Sequence, residues 1–566
     1  MTDIERVASL PERVDVSDTY AQELTDALSL PGKMPPFALR PEQAVALKEA
    51  HDCQGLVLSA AVGSGKTITS FLLPTVCGAK TPLLLVPAHL RRKTLDEWQE
   101  HAEHWNLVPP IVKSYTSVSR DKSKDGVSRM LDNLSPDCII ADEAHHLGNP
   151  DSGVTKKVLR YLKANPECRL YVLTGTLMKN SLMDGWHMCL FALREGSPLP
   201  VAKSVAELWA GAVDASQDPL TRKARAKAAR LDLLGTGEPR AVLQDRINKT
   251  PGYLQVGTKY DGPLSIKRTR IDAPDACLEA IEAAANGVRP DGQPLDLFER
   301  IGAKYPGHAN AQERTIMLRW RLQQTLFLGY WDKPTPDPPE DWAVARQKWY
   351  SFVADCMESN PSLDTPEAVK CAIESGTLQA RKKLLRGKTL LKDWLDIRGS
   401  YRPNSVPVWL DNRAPALTYA AEWLRSKPRG LVWVSGPVVG ERICRVVGLD
   451  PAKNFFGAGQ GKNGKPMIEH HRGPAVLSMD ANKSGRNLQG HAGHYAWCDN
   501  LFLLTPSLSG ELEQAIGRTH RPGQKLPVTV ELIAGLEAHD NAWNSALENA
   551  EFIAGMTGDS PKILTG

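Results

Sequence analysis

The sequence has no CxxC pair: its ten cysteines, at positions 53, 77, 138, 168, 189, 277, 356, 371, 444 and 498, are scattered without tight pairing. That usage points to a reduced, cytoplasmic chain. No apolar run approaches the roughly 20 residues that a membrane-spanning helix needs. The first twenty residues, MTDIERVASLPERVDVSDTY, carry acids where a signal peptide would have a basic start and an apolar core. Internal repeats, long low-complexity tracts, HNH-like strings and the acid-plus-lysine clusters of nucleases are all missing. So is a strong charge of one sign: 69 Lys and Arg face 65 Asp and Glu, a formal +4. A nucleic-acid partner must therefore be argued from local clusters.

What remains is an ordinary folded composition, 42% hydrophobic and 24% charged, which excludes a disordered chain or a coiled-coil rod. At about 150 residues per domain, 566 residues predict three to four domains. Short apolar runs at Gly55 to Ala60, Leu83 to Val86, Cys138 to Ala141 and Leu170 to Leu173 alternate with helix-length amphipathic stretches. The texture returns at Gly430 to Val434, Ala475 to Met479, Leu501 to Thr505 and Val528 to Ile533. Such alternation predicts parallel α/β sheets. Between them, apart from a strand-like run at Leu264 to Ile271, the chain reads as helix: Ala276 to Ala285, Gln312 to Leu328, Asp341 to Met357 and Gln379 to Ile397, broken by PTPDPP at Pro334 to Pro339. The expected organisation is an α/β domain over 1–195, a mostly helical insert over 196–405 and a second α/β domain over 406–566.

The first run leads directly into AAVGSGKT, Ala60 to Thr67, and then into the apolar helix ITSFLLPTV. Strand, glycine-rich loop and helix in that order form the context of a phosphate-binding P-loop. Gly63 and Gly65 let backbone N–H groups around Ser64 close on phosphates, Lys66 reaches the β and γ phosphates, and the Thr67 hydroxyl can hold Mg²⁺. Ala60 stands where the first glycine usually does. The run Cys138 to Ala141 ends in DEAH, Asp142 to His145. Asp142 is placed to bind Mg²⁺ and Glu143 to orient or deprotonate the attacking water.

With these two elements the chain resembles a superfamily-two helicase or translocase, and further blocks strengthen the resemblance. LTGT, Leu173 to Thr176, is similar to that superfamily's third motif. FALRPEQ, Phe37 to Gln43, is similar to its adenine-reading block, which implies Gln43 as the amide to the base. LLLVPAHL with the following Trp98, and SYTSV from Ser114, resemble motifs Ia and Ib. QAIGRTHRPGQ, Gln514 to Gln524, most resembles the Swi/Snf branch and its bacterial and phage relatives. The resemblance implies two RecA-like domains, Gln514 at the nucleotide, and Arg518 and Arg521 as fingers on the γ phosphate. SGRNLQG, Ser484 to Gly490, resembles motif V, with Asn482 and Lys483 where that family usually has paired glycines.

RKKLLRGKTLLK, Arg381 to Lys392, holds six basic residues in twelve and no acid, and TRKARAKAAR, Thr221 to Arg230, holds five in ten. Either is a solvated helix face or a phosphate-neutralising one; Arg381, Lys382, Lys383 and Arg386 are the candidate contacts. HAGHYAWC offers His491, His494 and Cys498, a spacing that matches no common zinc module and reads better as loop and core. The expectation is an ATP- and Mg²⁺-dependent translocase on double-stranded DNA in a bacterial or phage-infected cytoplasm. A strand-separating helicase on DNA or RNA, and an ATP-gated binding or anti-defence protein with slow turnover, are the alternatives.

Overall fold

The computed structural model describes residues 2–60, 63–120, 130–150, 152–175, 177–178, 181–214, 219–257, 260, 262–302, 311–359, 363, 366–378, 380–460, 465–483, 486–490, 493, 495–504, 506, 509–557 and 561–565. The chain forms two compact units, Met1–Lys259 with Glu548–Leu564, and Tyr260–Leu547 with Thr565–Gly566.

The first unit is built on a six-stranded parallel sheet: β1 (Leu56–Ala60), β2 (Pro82–Val86), β3 (Ile111–Ser114), β4 (Cys138–Asp142), β5 (Arg169–Thr174) and β6 (Tyr253–Val256), in the spatial order β3-β2-β4-β5-β1-β6. The apolar runs are continuous because helices cover both faces, so alternate residues enter different cores. Val57, Leu83, Leu85, Ile139 and Val172 face one cluster, and Leu56, Leu58, Leu84, Ile140 and Leu173 the other. The four expected strands are present. Two more, β3 and β6, lie at the sheet edges, where short, half-buried stretches give a weak sequence pattern.

In the second unit β7 (Leu264–Arg270), β10 (Gly430–Val434), β11 (Phe455–Phe456), β12 (Ala475–Ser478), β13 (Asp499–Phe502) and β14 (Val528–Ala534) form another six-stranded parallel sheet. Its order is β11-β12-β10-β13-β14-β7. A separate antiparallel ribbon pairs β8 (Tyr330–Pro334) with β9 (Ser405–Trp409). The chain divides at 259/260, not at 195/196 and 405/406, because β6 completes the first sheet beside β1 and β7 pairs along its length with β14. The stretch expected as a separate insert is helical as read, but it is shared between the two units.

Glu531 fixes the β7 edge. It is 3% exposed, opposite Lys267 in the register, and accepts from Lys267 Nζ at 3.0 Å and Trp423 Nε1 at 3.1 Å, as well as from Tyr419 and Thr269. Burial works to raise its pKa, but the hydrogen bonds from Thr269, Tyr419 and Lys267 outweigh it and hold the carboxyl below the ordinary 4.5. A depressed carboxyl contributes stability above its unfolded pKa and loses it as pH falls through the folded one. Glu531→Gln should therefore lower the melting midpoint at pH 7, and the gap to wild type should narrow as pH falls below about 4. A gap that stays constant from pH 7 to pH 3.5 would contradict this account.

Candidate nucleotide site

The P-loop leaves the carboxyl end of β1 and enters the helix Lys66–Val76. Gly63 and Gly65 have φ of 89° and 85°, a left-handed backbone that side chains disfavour. At Gly65 a second constraint applies: an added Cβ would lie 2.1 Å from Gln43 Nε2. Gln43, buried in the first turn of the helix Pro41–Cys53, donates to the Gly65 carbonyl at 3.1 Å and reaches that of Ser64 at 3.5 Å, while its Oε1 accepts from Arg40 N at 2.9 Å. Arg40 Nη1 donates to the Gly63 carbonyl at 3.0 Å. The FALRPEQ block thus braces the P-loop from its side, and Arg40 is a residue to which sequence reasoning gave no role. Lys66 Nζ donates to the Ala60 carbonyl at 2.5 Å, folded over the strand end, and Thr67 follows it in the first helical turn. Ala61 and Val62 lie outside the described residues.

Asp142 closes β4, and Glu143 follows at φ 53°, ψ 50°. A left-handed glutamate is a locally strained backbone, worth about 1–3 kcal/mol. Tyr115, from the motif Ib-like block, holds the turn by donating to the Asp142 carbonyl at 2.7 Å and stacking on His146 at 5.1 Å. His187, buried, reaches the Leu147 carbonyl through Nε2 at 2.7 Å. Glu143 lies 3.4 Å from His145 Nδ1. β5 stands between the acidic pair and the P-loop strand, pairing Asp142 with Leu173 on one side and Ser59 with Thr174 on the other. The separation is two strand spacings, about 10 Å. Leu173 to Gly175 of the LTGT block occupies the gap, and Thr176 lies outside the described residues. Burial and the adjacent Glu143 carboxylate push the Asp142 carboxyl well above the ordinary range, and Lys66 pulls it back.

In the second unit the helix Ser509–Ile516 ends before the arginines, so Arg518 and Arg521 sit in the turns that follow it. They still converge. Arg518, buried, donates from Nε to the Gln514 carbonyl at 3.0 Å and from Nη1 to the Arg486 carbonyl at 3.3 Å. Arg521 Nη1 donates to Asn487 Oδ1 at 2.8 Å and lies 3.5 Å from the same Arg486 carbonyl. Burial draws its pKa down, so Arg521 is a desolvated cation held by neutral oxygens. Gln514 is half-buried one turn earlier.

Residues 36–179 match the family model described as the res subunit of type III restriction enzymes. The transcriptional regulator ATRX homologue of Caenorhabditis elegans is 38% identical over 64 residues, 11% of this chain and 4% of that protein; the chain thus spans a small part of that relative's length. A solved SWI2/SNF2 ATPase core from Sulfolobus solfataricus in complex with dsDNA is similar at 14% identity and TM-score 0.28, over 92% of this chain and 96% of that one. The fold assignment rests on the two strand orders, not on that score. The family-model match covers the segment that holds the P-loop and the acidic turn.

Within the second unit the departure from the motif V pattern has a structural reason. Asn482, fully buried, donates to the Phe456 and Ser478 carbonyls at 2.7 and 2.9 Å and accepts from Gln460 at 2.8 Å, tying β11 to β12. Lys483 pairs with Glu511 at 2.7 Å. Ser484 and Gly485, like His491 and His494 of HAGHYAWC, lie outside the described residues, and no metal-ligand cluster occurs among the described ones. The basic helix spans Arg381–Ile397. Arg381, Lys382 and Arg386 are exposed, whereas Lys383 donates to Ser359 Oγ at 2.6 Å and the Asp355 carbonyl at 3.2 Å. Lys383 is therefore committed to packing and is withdrawn as a phosphate contact. Mg²⁺ is implied by the fold family, and the residues present fit it: a threonine hydroxyl and a carboxylate are hard oxygen donors, and the Asp142 carboxyl gains from a neighbouring cation.

Gly65→Ala tests the brace. A left-handed alanine costs about 1–2 kcal/mol and its Cβ collides with the Gln43 amide, so affinity for a fluorescent ATP analogue should fall about tenfold. Near wild-type affinity in Gly65→Ala would show that the loop is not held as described.

Proposed function

We propose that the chain is an ATP-dependent translocase of Swi/Snf type that couples hydrolysis to movement along duplex DNA in the cytoplasm. The observation that carries this reading is the convergence of the buried Arg518 and the half-buried Arg521 on the Arg486 carbonyl, within a block whose QxxGRxxRxGQ pattern resembles the Swi/Snf branch. In this reading Lys66 and the loop N–H groups bind the β and γ phosphates, and Gln43 and Gln514 contribute to the nucleotide pocket. Thr67 and Asp142 would hold Mg²⁺, which when bound neutralises charge on the phosphate oxygens. Glu143 orients the attacking water and takes its proton. Arg518 and Arg521 stabilise charge spread over the transferring phosphoryl group, a contribution of about 10³ to 10⁵ in rate for an arginine finger.

Binding and turnover should separate on substitution. Lys66→Ala removes a charge aimed at the phosphates and should weaken ATP binding, while Glu143→Gln should bind ATP normally and hydrolyse it at a small fraction of the wild-type rate. Arg521→Lys should behave like Glu143→Gln, because an ammonium cannot reproduce a planar fork bridging two oxygens. Near-normal ATPase in Glu143→Gln would refute the assignment of the base.

The choice of track is tested with three substrates. Hydrolysis should be stimulated more by duplex DNA than by single-stranded DNA or RNA, and the protein should strip a third strand from a triplex under ATP without parting a tailed duplex. Efficient unwinding of the tailed duplex with no triplex displacement would make it a strand-separating helicase instead. ATPase indifferent to every nucleic acid would favour a slow ATP-gated binding protein.

A further inference from the structure

The ribbon of β8 and β9 is a stalk. Pro334 pairs with Ser405, and Thr335 N donates to the Asn404 carbonyl at 3.1 Å, so the chain leaves and re-enters the second unit at one point. The segment between carries the helices Glu340–Ser359, Pro366–Glu374 and Arg381–Ile397 around its own core of Trp349, Phe352, Val353, Cys356, Ile373 and Leu391. Its root is fixed by Arg300 to Asp337 at 3.0 Å and by Trp342 and Tyr401 against Phe298. The three helices are closely packed: a Cβ on Gly387 would sit 2.9 Å from the Phe352 ring and 3.0 Å from Ile373 Cδ1.

On the opposite side of the last helix, Arg381, Lys382, Arg386, Lys388 and Lys392 are exposed. Arg381, Lys382 and Lys383 occupy the first turn with no acid among them, against the preference of the helix dipole. That arrangement costs the isolated fold and is relieved by anions. The helix is amphipathic and basic, which on sequence grounds also fits a membrane surface. That occupant is ruled against by packing, since Gly387 and Leu391 are buried and Leu384, Leu390 and Trp394 pack on the module's core, so that of the helix's leucines only Leu385 is exposed, too little apolar surface for lipid. From Arg381 to Lys392 the helix rises about 17 Å, the length of about five steps of a DNA strand.

We propose that the 335–404 module is a second DNA grip, an arm outside the ATPase sheets whose exposed cations at 381, 382, 386, 388 and 392 neutralise backbone phosphates of duplex DNA. The proposal rests on the translocase reading and adds to it a site that holds the track by charge alone, without reading its sequence.

The test is the salt dependence of binding to a random-sequence duplex, with DNA-stimulated ATPase measured alongside on the full chain. Arg381→Gln, Lys382→Gln, Lys388→Gln and Lys392→Gln combined should lower the slope of log affinity against log salt by about 2 or more, at about 0.9 per lost contact. The DNA concentration for half-maximal ATPase should rise, and the rate at saturating DNA should stay within about twofold. Lys383→Gln, at a residue turned into the module, should leave the slope unaltered. An unchanged slope in the quadruple variant overturns the arm, as does an equal fall in Lys383→Gln, which would mark an effect of net charge. If stimulation survives in the quadruple variant while the slope is unchanged, the arm alone is wrong. If wild-type protein neither binds duplex DNA nor is stimulated by it, the translocase reading falls and the arm with it.

Discussion

A parallel sheet buried on both faces leaves only its strand ends for chemistry, and that constraint organises each unit of this protein. In the first, β1, β4 and β5 are buried almost along their whole length, and the polar groups Lys66, Asp142 and Thr174 appear where a strand gives way to a turn: Lys66 after β1, Asp142 at the tip of β4, Thr174 at the tip of β5. The turns are where the backbone departs from ordinary geometry, at Gly63, Gly65 and Glu143. Each departure is held by side chains from neighbouring segments, Arg40 and Gln43 for the loop and Tyr115 for the acidic turn. Ligands of open α/β sheets bind outside the carboxyl ends for this reason. The sheet supplies a rigid floor, and the groups at its rim are free to be polar.

The central strands were legible because burial on both faces writes them as unbroken apolar runs. Of the edge strands only β7 was read: β3 and β6 are short and half exposed, and β11 has two residues. Domain limits failed for a related reason. Helices after Leu193 read as an insert because amphipathic periodicity states that a helix buries one face, not which sheet it is buried against. The site was legible in identity but not in support. Lys66, Asp142 and Glu143 could be chosen by residue type and order, whereas the brace formed by Arg40 and Gln43 depends on a contact across 21 or more residues. Lys383 shows the converse error. Sequence counts it with five other cations, but helical phase turns it toward Asp355 and Ser359.

Electrostatics explains why the interior charges were kept. The Glu531 carboxylate collects four donors and locks an edge strand, so its burial is compensated within the fold. Arg521 is different: half-buried, it meets an amide oxygen and a backbone carbonyl, which satisfy geometry without balancing charge. Partial desolvation of a cation held in that way is offset less within the fold than that of Glu531.

The same reasoning bears on motion. Where the Swi/Snf pattern has paired glycines, this chain has Asn482 and Lys483, one locked by three hydrogen bonds to β11, β12 and Gln460, the other paired with Glu511. Breaking the Asn482 contacts would strand buried polar groups at about 1–3 kcal/mol each, more than a loop shift readily supplies. The start of this segment is therefore part of the sheet's rigid rim. Arg486 and Asn487, whose oxygens hold Arg518 and Arg521, lie three to five residues further on. The two arginines therefore rest on acceptors that lie beyond that rigid rim, the Arg486 carbonyl and the Asn487 amide.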